Sequence, residues 1–229
     1  MTAAEQQHFD RFAHNYEQVL DDAVALSGEK GEYFTSVKAQ YLRRMLGADF
    51  RGRVLDYGCG VGLLAGLIRA CLPGTRVDGF DVSRQSIDRI APELQTQGIF
   101  TDRAEMIGRG YDGIVVSNVL HHVPVGEREA LVRNLAGRLA ERGRLVIFEH
   151  NPMNPLTRWV VKHCAFDDDA ILLWPGEPRG YFRAAGLRLV RRDYLVFFPR
   201  LLSGLRRLEP GLRWLPLGAQ YASVGERHG

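Results

Sequence analysis

The sequence predicts an α/β protein in which a mostly parallel sheet is covered by helices on both faces. Between residues 53 and 149, short apolar runs of strand length alternate with segments whose apolar residues recur every three to four positions. Such alternation is typical of βαβ units and therefore of parallel strands. A glycine-rich turn, Gly58–Gly62, follows the first of these strands. The 229 residues suffice for one domain with a single core.

The first two strands and their helices are the clearest part of this pattern. RVLD at Arg53–Asp56 predicts strand one, and the apolar positions of Leu63–Leu72 predict the helix after it, which a Pro-Gly pair ends. Arg76–Phe80 predicts strand two. A second helix is predicted over Arg84–Leu94, with Ser83 as its N-cap.

The remaining elements are predicted from weaker patterns. Strands are expected at Ile99–Phe100, Tyr111–Ser117, Arg144–Glu149, Leu187–Phe198 and Ala219–Gly225, and helices at Glu127–Ala140, Thr157–Ala165 and Gly180–Ala185. Helical periodicity also fills the first fifty residues, from Phe9 and Phe12 to Met45 and Leu46.

Composition excludes several classes of protein. Hydrophobic residues make up 45% and charged residues 25% of the chain, which excludes disordered and collagen-like proteins. The three cysteines have no C-x-x-C spacing and cannot form a disulfide framework, so we expect a reducing, cytoplasmic location. The first thirty residues lack the basic-then-apolar layout of a signal peptide, and no run approaches the ~18 apolar residues of a membrane span.

Charge is distributed unevenly along the chain. Residues 151–229 hold 12 basic and 7 acidic groups, a net charge of +5, whereas the rest of the chain has a net charge of −2. Within this part, residues 199–217 combine regularly spaced leucines with arginines and a tryptophan. Two interpretations stay open: a helical connection whose leucines pack on the sheet, or weak peripheral contact with an anionic membrane at its inner face. We expect no DNA partner, because this charge is too small to indicate one.

Two features of the alternating region predict a nucleoside site. In open α/β sheets, ligands bind at the carboxyl ends of the strands, where a glycine-rich turn lets them approach the backbone. Here the turn follows Asp56, and Asp81 ends strand two, 25 positions later, where its carboxylate can accept hydrogen bonds from ribose hydroxyls. A dinucleotide cofactor is the alternative, although its turn normally opens with glycine rather than with the Asp56-x-Gly58 arrangement.

The segments VLDYGCGVGLL, DGFDVS and YDGIVVSNVLHHVP, in this order, resemble the class I S-adenosylmethionine-dependent methyltransferase family, in its small-molecule branch. The resemblance covers Arg53–His150 and implies a Rossmann-like, seven-stranded sheet with a reversed last hairpin. It implies S-adenosylmethionine as the cofactor. It also implies one domain, with residues 1–50 as a helical lid, 51–150 as the cofactor-binding core, and 151–229 as an acceptor-side insertion with the C-terminal strands.

The resemblance also assigns roles to individual residues. It implies Gly58, Gly60 and Gly62 near the methionine part, Asp81 on the ribose, Asp102 near the adenine amine and Asn118 beside the sulfonium, with Asp56 and Val82 in the same cofactor site. Thr101 or a backbone amide is the alternative adenine contact. Lys38 is a candidate partner of the methionine carboxylate.

His122 and His150 are the candidate catalytic residues. A hydroxyl acceptor needs a base, and histidine is best matched to neutral pH. His122 lies on the loop after strand four, which faces the sulfonium in the family, and His150 ends strand five. Structural roles are the alternatives: packing of His122 beside Pro124, and a hydrogen bond from His150 to the next turn. No metal site is predicted, because residues 167–169 are explained as the first turn of a helix over 170–173.

The sequence therefore predicts methyl transfer to a small-molecule or lipid-linked acceptor, at oxygen. The alternatives are a protein or RNA methyltransferase that docks through its basic tail, and a catalytically silent fold member that serves as a binding partner. The intact glycines and Asp81 argue against the silent member. Ser117–Leu120 stands where amino-methyltransferases acting on bases have an Asn/Asp-Pro-Pro-aromatic run, which disfavours base methylation.

Overall fold

The computed structural model describes Asp10, His14 and residues 16–164 and 167–227. The strands are β1 (Arg53–Tyr57), β2 (Arg76–Phe80), β3 (Phe100–Thr101), β4 (Tyr111–Ser117), β5 (Leu139–His150), β6 (Leu187–Leu195) and β7 (Gln220–Arg227). They form one sheet in the order β3-β2-β1-β4-β5-β7-β6. β1 to β5 are parallel, and β7 runs antiparallel to both β5 and β6. The predicted fold class, including the reversed last hairpin, is confirmed.

The helices lie before the sheet and between its strands. They are α1 (Tyr16–Val24), α2 (Gly31–Leu46), α3 (Leu63–Cys71), α4 (Arg84–Ile87), α5 (Pro92–Gln95), α6 (Val125–Ala136), α7 (Pro155–Lys162), α8 (Glu177–Ala184) and α9 (Glu209–Leu212), with a 3₁₀ helix over Arg200–Leu208. The helices predicted around Phe9 and Phe12 lie outside the described residues. None of the described helices has the length and hydropathy to cross a membrane.

The two faces of the sheet are covered by different helices because side chains alternate along each strand. On β4, Ile114 belongs to a cluster that includes Val132 of α6 and Phe182 of α8. Its neighbour Val115 belongs to a second cluster, which includes Leu42 of α2 and Ile68 of α3. The core therefore has two layers, as expected for a parallel sheet buried on both faces.

Two predicted helices differ from the structure. The helix expected over Arg84–Leu94 is split into α4 and α5, because Ala91, which precedes Pro92, has a non-helical ψ of 132°. The helix expected over 170–173 is absent from that stretch, which has no regular secondary structure. There the backbone N–H of Ile171 donates to the carbonyl of His121 at 2.8 Å. Tertiary pairing therefore takes precedence over the local acidic pattern of residues 167–169.

The connection between β6 and β7 differs in part from the interpretation in which its leucines pack on the sheet. None of the residues of the 3₁₀ helix Arg200–Leu208 is buried. Leu201 is 93% exposed and Trp214, further along the connection, is 74% exposed. Leu201, Leu205 and Leu208 are therefore exposed rather than packed on the sheet, whereas Leu212 and Leu215 are half-buried.

Candidate active site

A cavity of about 290 Å³ opens at the carboxyl ends of β1, β2, β4 and β5. Helices α1 and α2 line one side of it through residues such as Val24, Phe34 and Lys38. Helix α7 and the segment 196–199 line another side. The cavity thus lies where parallel α/β sheets bind their ligands.

The glycine turn after β1 brings backbone to the cavity wall. The N–H groups of Gly58 and Cys59 both donate to the carbonyl of Phe80, at 2.7 and 3.0 Å, which ties the turn to the end of β2. Gly58 has a φ of +80°, and a Cβ there would lie 2.2 Å from Cγ2 of Val119. Only glycine fits this position without displacing the neighbouring loop.

Asp81, directly after β2, binds the backbone of both the glycine turn and the turn that follows β2. Its Oδ2 accepts a hydrogen bond from the N–H of Gly60 at 2.8 Å, and its Oδ1 accepts one from the N–H of Ser83 at 2.9 Å. Burial raises the pKa of Asp81 despite these two donors. The Ser83 hydroxyl in turn donates to Asp10 at 2.5 Å, so Asp10 contacts this turn.

Asp56 is a buried carboxylate at the bottom of the cavity. It is 1% exposed, and neither of its oxygens has a hydrogen-bond partner among the described residues. Burial and the nearby charge of Asp81 raise the pKa of Asp56 to about 7. A buried carboxylate without partners is costly for the fold, which indicates that it serves a ligand.

The end of β4 contributes two polar residues. Asn118 adopts a left-handed conformation with a φ of 56°, and its side-chain Oδ1 is buried with no partner among the described residues. The preceding Ser117 accepts a 2.8 Å hydrogen bond from Nζ of Lys38. Burial lowers the pKa of Lys38 to about 8, although Glu149 and Asp56 act in the opposite direction.

His121 is held between two carboxylates. Its Nδ1 lies 2.5 Å from Oε2 of Glu149 and its Nε2 lies 3.2 Å from Oδ1 of Asp167. Burial alone would lower the pKa of His121, but the two carboxylates outweigh burial and raise it to about 9. Glu149 also accepts a 2.9 Å hydrogen bond from the N–H of Leu120, which fixes the loop after β4.

The two predicted catalytic histidines line the cavity beside this network. Nδ1 of His122 lies 3.0 Å from Oδ1 of Asp169, and Nε2 of His150 lies 3.9 Å from Oδ2 of Asp167. Burial and the neighbouring His121 lower the pKa of His122. Burial lowers the pKa of His150 to about 4, against the attraction of Asp167. Both rings are therefore held towards their neutral forms.

Eight of the ten predicted site residues line this one cavity: Asp56, Gly58, Gly60, Asp81, Val82, Asn118, His122 and His150. Gly62 lies behind the wall, where it caps the start of α3 with a φ of 85°. Asp102 is outside the lining, with its Oδ1 3.5 Å from Nη1 of Arg84. The adenine contact of Asp102 therefore stays a prediction.

Sequence reasoning missed the partners of the histidines. Glu149 and Asp167 lie 28 and 46 positions from His121 in the chain. Neither separation is a spacing that marks a motif. The one available signal was Glu149 itself, a charged residue at the end of an otherwise apolar strand. Such a residue is rarely buried without a partner.

The fold and the cavity together define the class I S-adenosylmethionine-dependent methyltransferases. Residues 13–191 match the model of a family described as a methyltransferase domain, and the chain belongs to this family. The match includes every predicted site residue, because all of them lie between Asp56 and His150.

Curated relatives match part of the chain. Ribosomal protein L11 methyltransferase of Thiobacillus denitrificans is 34% identical over 109 residues, which cover 45% of this chain and 35% of that protein. Ribosomal RNA small subunit methyltransferase C of Pseudomonas paraeruginosa is 31% identical over 103 residues, which cover 42% and 31%. The matched region thus spans about a third of each relative's length.

Solved structures share the fold over more of the chain. Magnesium protoporphyrin IX methyltransferase of Synechocystis PCC 6803, with bound S-adenosylhomocysteine, superposes with a TM-score of 0.62 at 19% identity. The superposition covers 90% of this chain and 86% of that one. At this identity, the likeness shows the fold alone.

Proposed function

We propose that this chain transfers the methyl group of S-adenosylmethionine to an oxygen of a small-molecule or lipid-linked acceptor. The observation that supports this most is the convergence of Asp56, Asp81 and Asn118 on one cavity beside the positive-φ turn of Gly58 and Gly60. The oxygens of Asp56 and the Oδ1 of Asn118, which lack partners among the described residues, and the carboxylate of Asp81 fit a ligand with hydroxyl and ammonium groups.

The residues of this chain fit the cofactor as follows. Asp81 would accept hydrogen bonds from the ribose, and Val82 would pack beside it. Asp56 would meet the cationic methionine end, where its buried oxygens lack partners among the described residues. Asn118 would lie beside the sulfonium. S-adenosylmethionine supplies a methyl group activated by a positive sulfur.

The acceptor would bind between the histidines and an apolar wall. Phe197, Phe198 and Leu156 line that side of the cavity. The chain would align the acceptor, exclude water and receive the hydroxyl proton on His122 or His150, while the oxygen gains the methyl group. Alignment is the largest contribution expected, since proximity supplies up to about 7–11 kcal/mol in such reactions.

A macromolecular acceptor is the second candidate. Two curated relatives are methyltransferases of a ribosomal protein and of ribosomal RNA. Each of these matches covers less than half of the chain, and the apolar wall of the cavity favours a small or lipid-linked acceptor. A catalytically silent binding protein is disfavoured, because it would not need the costly unpaired Asp56.

We further propose that the acceptor reaches the cavity from an anionic membrane surface. Leu201, Leu205 and Trp214 of the 199–217 connection are exposed. On α7, Leu156 and Trp159 are also exposed, at 49% and 47%, and Leu156 lines the cavity. Nδ2 of Asn154 bonds the carbonyl of Leu217 at 2.8 Å, which joins the two surfaces at the cavity mouth.

One experiment tests the proposed activity. The protein is incubated with methyl-labelled S-adenosylmethionine and separated lipid, small-molecule, protein and RNA fractions of a cell extract. The proposal expects label in the lipid or small-molecule fraction, in a base-stable ether or a base-labile ester. Label in protein or RNA would favour the second candidate. No cofactor binding by calorimetry would contradict the methyltransferase activity itself.

A further inference from the structure

Three imidazole rings converge on a single carboxylate at the deep end of the cavity. The Nε2 atoms of His121, His122 and His150 lie 3.2, 3.5 and 3.9 Å from the oxygens of Asp167. One ligand atom each from His121, His150 and Asp167 can be chosen so that all three lie within 4.8 Å of one another. Four donors around a tetrahedral zinc lie about 3.4 Å apart, given bonds of about 2.0–2.1 Å.

The ring of His121 is oriented by a carboxylate on the side away from Asp167, as is usual for metal ligands. A metal-binding histidine usually donates its other ring N–H to a carboxylate, which fixes the ring and leaves the remaining nitrogen for the metal. Nδ1 of His121 lies 2.5 Å from Glu149, which is fully buried and is itself held by the N–H of Leu120. Oriented like this, Nε2 of His121 points at Asp167.

The spacing of these atoms is that of neighbouring metal ligands. Nε2 of His121 and Oδ1 of Asp167 lie 3.2 Å apart, close to the separation of two donors on one ion. An imidazole nitrogen and a carboxylate oxygen can both be ligands of a cation placed between them. His150 adds a second nitrogen, and so a third donor atom, on the side that faces the cavity.

We propose that His121, His150 and Asp167 bind a divalent transition-metal ion of the zinc, manganese, iron or cobalt group. Two imidazole nitrogens and one carboxylate suit these ions, whereas magnesium and calcium prefer oxygen ligands throughout. The sequence does not predict this site, because its ligands are far apart in the chain. The candidate base in the loop after β4 is His122, and nothing in the sequence distinguishes the adjacent His121 as a ligand. His150 and Asp167 line the cavity, so the ion has an open side towards the acceptor.

The inference rests on the proposed function and deepens it. An ion at this place would bind the oxygen of the acceptor and lower the pKa of its hydroxyl, as metal ions do for bound water. The proton then leaves to His122 or to solvent, and the oxygen lone pair forms the new bond to the methyl carbon. The bond from the methyl carbon to sulfur breaks at the same time, its electron pair stays on sulfur, and S-adenosylhomocysteine leaves. The preferred acceptor is thus one whose hydroxyl can reach both the metal and the sulfonium.

Cobalt(II) titration of the untagged, chelator-treated full chain tests the site. We expect one Co²⁺ per chain, with the visible absorption of a four- or five-coordinate ion, displaced by Zn²⁺. His150→Ala and Asp167→Asn should each weaken Co²⁺ binding at least tenfold. His163→Ala is the matched control, because His163 bonds the carbonyl of Trp159 and lies outside the cluster. It should bind Co²⁺ like the wild type.

Cofactor calorimetry on the same samples separates the two proposals. His150 is the safer variant, because its ring is 15% exposed and its loss leaves the His121–Glu149 pair intact. If the wild type binds S-adenosylmethionine but takes up no stoichiometric Co²⁺, Zn²⁺ or Mn²⁺, the metal site is refuted and the methyltransferase proposal stands. Equal Co²⁺ binding by all four proteins would also refute the site. If the wild type did not bind S-adenosylmethionine at all, the proposed function would be refuted instead.

Discussion

The N–H of Gly60 donates a hydrogen bond to Oδ2 of Asp81, at 2.8 Å between the two heavy atoms. This bond joins the glycine turn after β1 to the end of β2. The carboxylate proposed to bind the ribose therefore also holds the turn proposed to receive the methionine part. A change at Asp81 should affect both halves of the cofactor site.

Replacement of Asp81 by alanine should weaken S-adenosylmethionine binding by roughly 2–4 kcal/mol, through the loss of charge-assisted hydrogen bonds. Isothermal calorimetry measures this directly. Asp88→Ala is a suitable control, since Asp88 is an exposed carboxylate that pairs only with Arg84 among the described residues. If Asp81→Ala bound the cofactor as tightly as Asp88→Ala, the assignment of Asp81 would be wrong.

A methyl group at Gly58 should destabilise the fold and the cofactor site together. The Cβ would lie 2.2 Å from Val119, at a φ of +80° that costs about 1–2 kcal/mol for a residue other than glycine. We expect Gly58→Ala to lower the free energy of unfolding by about 2–4 kcal/mol in urea titrations. The double variant Gly58→Ala/Val119→Ala should regain only the part of the unfolding free energy that is lost to the clash with Val119. Full recovery would exclude the backbone strain.

The sequence predicted the sheet better than it predicted the polar site. Strand β4 and the turn Gly58–Gly62 follow from local patterns, because a buried strand and a tight turn each restrict the residue types at adjacent positions. The His121–Glu149–Asp167 network could not be predicted in this way. It depends on the loop after β4, the end of β5 and the segment after α7 meeting in space.

The stretch 170–174, which has no regular secondary structure, is a second example of structure that depends on distant residues. Its acidic start and apolar continuation favour a helix locally, but Leu173 is buried and its carbonyl accepts a 3.1 Å hydrogen bond from the Tyr221 hydroxyl of β7. Nη2 of the buried Arg128 donates to the carbonyl of Ile171 at 2.6 Å. These contacts compete with helix formation and come from residues distant in the chain.

The stability of the apo-protein should depend on pH through Asp56. Its pKa is about 7 when folded, above the usual value of a carboxyl group. The folded state therefore binds a proton more tightly than the unfolded state, so this contribution to stability is present below pH ~4 and is lost as pH rises to ~7. Asp56→Asn should accordingly gain stability over the wild type as pH rises from 4 to 8, by up to about 4 kcal/mol.

Urea unfolding at several pH values, without cofactor, measures this difference. Asp88→Asn, at the end of α4, controls for the removal of one negative charge. A stability difference between Asp56→Asn and the wild type that stays constant across the range would contradict the raised pKa. The same variant should bind S-adenosylmethionine more weakly, because the cationic end would lose its charged partner.

Loss of either cavity-lining histidine should slow methyl transfer more than it weakens cofactor binding. We expect His122→Ala and His150→Ala to lower kcat by ~10²–10⁴, because the acceptor loses a group that receives its proton or holds its oxygen. Calorimetry should give nearly unchanged S-adenosylmethionine affinity. With His163→Ala as the reference, a fall of less than threefold in both variants would indicate an acceptor that ionises unaided, such as a carboxylate.

The exposed connection 199–217 should bind anionic membranes weakly. Arg206 is unsuitable as a probe, since it pairs with Glu29 at 2.7 Å and stacks over Tyr33, so its replacement would disturb α2. Arg200 and Arg207 are exposed. At about 1 kcal/mol for each basic residue near the surface, reversing both charges should reduce binding at least thirtyfold.

Sedimentation with phosphatidylserine-containing vesicles at low salt measures this binding, and it should decrease as salt rises. The variant Arg200→Glu/Arg207→Glu should stay in the supernatant. The matched control is Arg51→Glu/Arg109→Glu, because these exposed residues precede the central strands β1 and β4 and so lie at the amino-terminal ends of the strands, opposite the cavity. It changes net charge equally and should still sediment. If the control loses binding to the same extent, the attraction depends on overall charge and not on this surface. If the wild type ignores anionic vesicles altogether, the acceptor reaches the cavity from solution.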